Sequence, residues 1–227
     1  MKKKCNYNLE WRFEKDLIDY EQALSFMTNR VEKIIDKKAC ELIWVLEHPP
    51  IYTAGISAKD SDLLELSDTK VYKTNRGGKY TYHCPGMKII YALIDLKNFF
   101  SPNEPDVASF VNFLERWIIS VLDYYGIEGN IRKDRVGIWV ESKKGDCSSD
   151  KKISAIGIKL KKWVSYHGVA LNINCDLDGF KKIIPCGITQ FGVTSLKELG
   201  VETKSIAFEQ NFHKILQEKF YEALLFF

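Results

Sequence analysis

A thiol, an amine and two imidazoles are the groups in this chain whose surroundings suit chemistry on an acyl group. Cys186 stands in Ile-Ile-Pro-Cys-Gly-Ile. A thiol between Pro and Gly sits on a bend, where its sulfur can be exposed and the following N–H groups can face a developing oxyanion. Lys152 heads KISAIGIKL and is the last charge before an apolar run. A lysine held beside a thiol favours the thiolate and can later accept a proton as a neutral amine. Lys151 is its neighbour, and strand alternation sends the two side chains to opposite faces, so only one of them can face a site. His167 precedes Gly168 in SYHGVALN, where the glycine admits close backbone approach.

The stretch 76–86, RGGKYTYHCPG, brings the remaining candidates together. Gly77-Gly78 permits a sharp turn or a close ligand, 79–83 alternates like a strand, and Pro85-Gly86 closes it. Arg76 suits a carboxylate or phosphate, and His83 suits proton transfer. The stretch reads as one wall of an acyl-binding site. Histidines 48, 83, 167 and 213 have no metal-ligand spacing, and no two cysteines form a close pair. The glycines match neither a Walker loop nor a dinucleotide fingerprint. No metal and no cofactor are expected.

These groups need elements to hold them. Leu17, Tyr20, Leu24, Met27, Val31, Ile34 and Ile35 predict an amphipathic helix over 14–38. Residues 42–46 read as a buried strand ended by Pro49-Pro50, 51–54 as a short extended piece, and 57–67 as a loop. Residues 88–96 form the strongest strand pattern of the first half. Residues 106–125 give the clearest helix, with Asp106 as N-cap and Gly126 as its stop. Strands follow at 136–140 and 153–160, flanking an exposed polar loop at 141–151, and at 163–174. Residues 180–187 are irregular. A short helix is expected over 193–199, and a last amphipathic helix over 204–226. There are no repeats and no dividing linker, so one domain, 1–227, is expected. The class is α+β, with helices covering one face of a mixed, largely antiparallel sheet.

Composition narrows the function classes. The chain has 33 basic and 30 acidic side chains, a net charge of +3, too balanced to point to nucleic acid. No apolar segment follows Lys2, Lys3 and Lys4, and no run approaches ~20 apolar residues, so neither a signal peptide nor a membrane span is expected. Six scattered cysteines read as free thiols in a reducing compartment, the cytoplasm.

Taken together, six segments resemble the lipoyl(octanoyl) transferases, in that family's order. They are HPPIYTAG at 48–55, RGGKYTYHCPG at 76–86, DRVGIWV at 134–140, KISAIGIKL at 152–160, SYHGVALNIN at 165–174 and PCGI at 185–188. The resemblance spans 42–199. Cys84 stands where the family usually has glycine, Met87 where it has glutamine, and Ala54 where it has leucine. The resemblance implies a fold like that of biotin and lipoate protein ligases. It implies an acyl-enzyme mechanism with Cys186 as nucleophile and Lys152, rather than Lys151, as its partner. It implies substrate contacts at Arg76, Gly77, Gly78, Lys79, Tyr80, Thr81, Tyr82 and His83, at Ala155, Ile156 and Gly157, and at Gly168, Val169 and Ala170. His83 and His167 are the candidate proton relays. The implied donor is octanoyl-acyl carrier protein. The implied acceptors are apo lipoyl domains of 2-oxoacid dehydrogenase E2 subunits and the H protein of glycine cleavage.

Overall fold

Period-two runs of branched and aromatic residues build the centre of the molecule. The computed structural model describes residues 9–65, 68–101, 103–142, 149–184, 191–225 and 227. Its strands are β1 (Leu9–Leu17), β2 (Glu41–Glu47), β3 (Ile51–Ala54), β4 (Val71–Lys73), β5 (Tyr80–His83), β6 (Met87–Leu93), β7 (Asn130–Arg132), β8 (Arg135–Glu141), β9 (Asp150–Lys161), β10 (Val164–Asn172) and β11 (Gly192–Val193). Its helices are α1 (Tyr20–Ile35), α2 (Leu96–Phe100), α3 (Val107–Tyr124) and α4 (Ile206–Leu225). The main sheet runs β1-β2-β6-β10-β9-β8-β7, with β11 added beside β9. Only its β1–β2 and β9–β11 pairs are parallel. A small second sheet has the order β4-β3-β5.

Alternation along the central strands divides the core between the two faces of the main sheet. Ile43, Val45, Ile90, Ala92, Val169 and Leu171 turn toward α3 and α4. Leu42, Trp44, Leu46, Ile89, Tyr91 and Ala170 turn toward α1 and the small sheet. Helices therefore flank both faces, not one, because each strand presents a full apolar set on each side. The α3 helix forms as its pattern demands. Asp106 caps it by accepting the Ser109 N–H at 2.6 Å, and Gly126 follows with φ +75°.

Four expectations are corrected. The first helix starts at Tyr20, not at 14, because Leu9, Trp11 and Phe13 alternate as an added strand, and Asp19 caps the helix by accepting from Glu21 N and Gln22 N. The strand expected to reach residue 96 ends at Leu93, since Asp95 caps α2 by accepting from Lys97 N. The strand expected from 153 begins at Asp150, so both Lys151 and Lys152 lie within it. Residues 193–199 form β11 and a hydrogen-bonded turn rather than a helix. Their backbone is drawn to the sheet, Thr194 N donating to Lys152 O and Leu196 N to Asn172 O. No helix among the described residues is long and apolar enough to cross a membrane.

Candidate active site

The small sheet stands over the main sheet and leaves a groove between them. Its floor is laid down in rows by strand register. Tyr91, Gly168 and Gly157 pair across β6, β10 and β9, and Ile89, Ala170 and Ala155 form the next row. Met87 and Asn172 pair one row further on, where Lys152 lies. The wide part of the groove encloses about 540 Å³ including its open mouth, within the usual range of small-molecule sites. The narrow part, about 300 Å³, contains Lys152, and the two parts share Thr81, Ala155 and Ala170.

Gly168 makes the floor possible, since a Cβ there would lie 2.1 Å from the Ile90 carbonyl oxygen. His167 beside it has φ +61°, a left-handed conformation that a strand histidine adopts at a cost. That turn of the backbone places His167 among the groove's lining residues.

Arg76 is bonded into the frame of the groove. Its guanidinium donates to Gly77 O at 2.9 Å, Thr53 O at 2.8 Å, Thr53 Oγ1 at 2.8 Å and Lys79 O at 2.9 Å. It thereby pins the 76–79 loop to β3, and Gly77 N donates to Ile158 O to tie the loop to β9. Of the residues expected to touch substrate, Arg76, Gly78, Lys79, Tyr80, Thr81 and His83 line the groove from this loop and β5. Ala155, Ile156, Gly157, Gly168, Val169 and Ala170 line it from the main sheet. Gly77 and Tyr82 are not among the lining residues. Tyr82 turns away to pack on Tyr52 and Phe180. Tyr20, Thr53, Ile89 and Tyr91 also line the groove. Of these, Thr53 fell within the HPPIYTAG segment, and Tyr20, Ile89 and Tyr91 were read only as helix and strand residues.

The wide end gathers the buried imidazoles. His48 bonds Ile18 O and Tyr91 Oη, and His83 Nε2 bonds Thr53 Oγ1 at 3.2 Å. Burial pushes His83 well below the ordinary imidazole range and His167 down to about 3, with Arg76 adding to both effects. Tyr20 Oη, His83 Nδ1 and His167 Nε2 are buried with no hydrogen-bond partner among the described residues. The two histidines thus gather at the end of the groove away from Lys152.

Lys152 occupies the narrow end. It is 6% exposed, whereas Lys151, one residue earlier on the strand, points to solvent. Its Nζ sits 5.0 Å from the centre of the Trp139 ring, a favourable place for a cation. Val193 of β11 pairs with it, and Phe191 packs on the same Trp139 ring at 5.4 Å. Cys186 lies outside the described residues, as does Cys147. The chain on either side of 185–190 is fixed by Ile184 N donating to Asp62 O and by β11. Cys84, the unexpected thiol, is buried behind the groove with its Sγ 3.7 Å from Asp176 O. Cys40, Cys84 and Cys175 are free. No group of three or more His, Cys, Asp or Glu among the described residues is arranged to hold a metal.

Comparison with known proteins agrees with this architecture. The profile of the lipoyl protein ligase A/B catalytic domain matches residues 19–220. The octanoyltransferase of Bartonella tribocorum is 46% identical over 219 residues, covering 92% of this chain and 88% of that protein. The octanoyltransferase of Wolbachia sp. subsp. Brugia malayi is 44% identical over 214 residues, covering 94% and 98%. Among solved structures, the bipartite lipoate protein ligase of Thermoplasma acidophilum superposes with a TM-score of 0.66 at 15% identity, covering 95% of this chain and 84% of that one. At that identity the likeness establishes the fold.

Proposed function

Because the chain belongs to the lipoyl protein ligase A/B catalytic-domain family and is an octanoyltransferase of protein lipoylation, we propose that it works through an acyl-enzyme, with Cys186 as nucleophile and Lys152 as its proton partner. The observation that carries the proposal is the buried Lys152 amine at the narrow end of a groove with an apolar middle. Val193, which follows the Cys186 segment in the sequence, pairs with Lys152 at the sheet edge.

The Lys152 ammonium favours the Cys186 thiolate. The thiolate attacks the carbonyl carbon of an octanoyl thioester on the phosphopantetheine arm of acyl carrier protein. The carbon–sulfur bond to the arm breaks, and the departing thiolate takes a proton from Lys152. Acyl-Cys186 remains, its chain lying along Ala155, Ala170 and Gly168. A lysine amine of an apo lipoyl domain then attacks the acyl-enzyme. Neutral Lys152 takes the proton the amine loses, the amide forms, and Cys186 is released. The balance is thioester plus amine to thiol plus amide, so no ATP enters. Lys152 fills the relay role here, since burial makes His83 and His167 weak bases and both line the far end. The acceptors are lipoyl domains of E2 subunits and H protein, and the setting is the cytoplasm.

The test is transfer from octanoyl-carrier protein to apo lipoyl domain without ATP, with mass spectrometry of the intermediate. An octanoyl adduct on Cys186, absent in Cys186→Ser, is expected. Transfer that requires ATP would instead make the protein a ligase, and Cys186→Ser turning over at the wild-type rate would refute the acyl-enzyme.

A further inference from the structure

An acid is buried in α3 where an apolar side chain would pack as well. Glu115 is 5% exposed, between the fully buried Leu114 and Trp117. A buried carboxylate is costly unless it is bonded and paired, so its presence calls for a partner. One contact is to the backbone: Gly137 N donates to Glu115 Oε1 at 3.1 Å.

Gly137 is also where Lys152 lies. It has φ +115°, and a Cβ there would stand 2.5 Å from Lys152 Cε and 3.1 Å from Lys152 Nζ. One bare residue is thus touched by the carboxylate through its N–H and overlain by the amine where a side chain would project. Glycine is required for both reasons, the left-handed backbone and the space. Burial raises the Glu115 carboxyl, and the Gly137 N–H and the charge of Lys152 offset that rise in part.

Among the described residues, other polar and charged groups near Lys152 have partners of their own. Arg135 stacks on the same Trp139 ring at 4.8 Å, and its charge is matched by Asp150 and Asp134. Asp150 is shared between Arg132 and Arg135. On the β11 side, Glu198 accepts from Thr194 Oγ1 at 3.1 Å. Thr81 and Asn172, which share the narrow part of the groove with Lys152, carry no charge. Glu115 is the acid that faces Lys152 from α3.

We propose that Glu115 is a positioning residue for the reaction: across Gly137 its carboxylate holds the Lys152 side chain at the narrow end of the groove. The carboxylate acts through the amine. This role rests on Lys152 being the proton partner of Cys186.

Glu115→Gln keeps an oxygen for the Gly137 N–H and removes the charge. The readout is the pH profile of octanoyl transfer, with thermal melting as the control for fold. Loss of the charge should move the alkaline limb to lower pH by about one unit, so that transfer at a pH on that limb falls about tenfold. A profile superposable on wild type would overturn the proposal and leave Glu115 as packing. Should Glu115→Gln not fold, the reciprocal measurement decides. The Glu115 carboxyl, followed by carbon-13 NMR, should titrate about one unit higher in Lys152→Met than in wild type, and no movement would overturn the proposal. If Lys152→Met itself transfers at the wild-type rate, it is the acyl-enzyme reading that fails, not the Glu115–Lys152 coupling.

Discussion

Ala170→Leu tests whether the acyl chain runs along the floor of the groove. Ala170 lies midway, one row from Asn172 beside Lys152 and one row from Gly168. Two residues of strand advance about 6.6 Å, so a carbonyl held at the Lys152 row sits about 6.6 Å from Ala170 and about 13 Å from Gly168. An extended chain rises about 1.25 Å per carbon for a bond of about 1.5 Å, so eight carbons span about 9 Å and pass Ala170 near the sixth. Roughly two carbons then lie beyond it. A leucine there fills existing space, so the fold is retained, but it denies those carbons their place. At about 0.8 kcal/mol per buried CH₂ the loss is about 1.6 kcal/mol, a factor of about fifteen in kcat/KM. The assay is transfer from carrier protein loaded with four-, six- or eight-carbon chains to apo lipoyl domain. Butanoyl transfer should stay within about twofold of wild type while octanoyl transfer falls about fifteenfold. Equal losses on all three chains, or none on octanoyl, would refute the placement of the chain.

Two further variants test the frame around the groove. Arg76→Lys removes the fork that donates to Thr53 O and Lys79 O together, so the 76–79 wall should loosen. A KM for octanoyl-carrier protein raised about tenfold is expected from losing one or two charged hydrogen bonds at about 1.5 kcal/mol or more, and steady-state kinetics check it. Asp150→Asn leaves Arg132 and Arg135 without their shared buried carboxylate and should cost about 3 kcal/mol at pH 7 by urea unfolding. The Asp150 carboxyl is held below its ordinary value, first by the Arg132 hydrogen bond, against the effect of burial, with Arg135 adding to the lowering. Its contribution is therefore present above the unfolded value of about 4 and lost as pH falls through the lower folded value, so wild type and variant should converge below about pH 4.

What could be read from the sequence follows how local each signal was. The α3 helix carries its cap, its apolar face and its stop within one window, and each acts where it stands. Strand β1 has the opposite character. Its alternating Leu9, Trp11 and Phe13 are interleaved with Glu10, Arg12 and Glu14, and those charges make sense only across the fold. Arg12 lies over the Phe26 and Trp44 rings, and Glu14 accepts from Trp44 Nε1. The turn after β11 has helical spacing but gives its N–H groups to Lys152 and Asn172, partners that no local pattern contains. The same division runs through the site. Alternation predicts that one of Lys151 and Lys152 faces inward, and the register of β9 against β8, with Trp139 opposite Lys152, decides which. Glu115 went unremarked in the α3 pattern, four residues after Val111 and three before Ile118. Its meaning came from a glycine on another strand. Residues that bind by shape announce themselves in short motifs such as Arg-Gly-Gly, because backbone geometry is local. Residues that act through a second residue do not, because the pairing is made by the sheet.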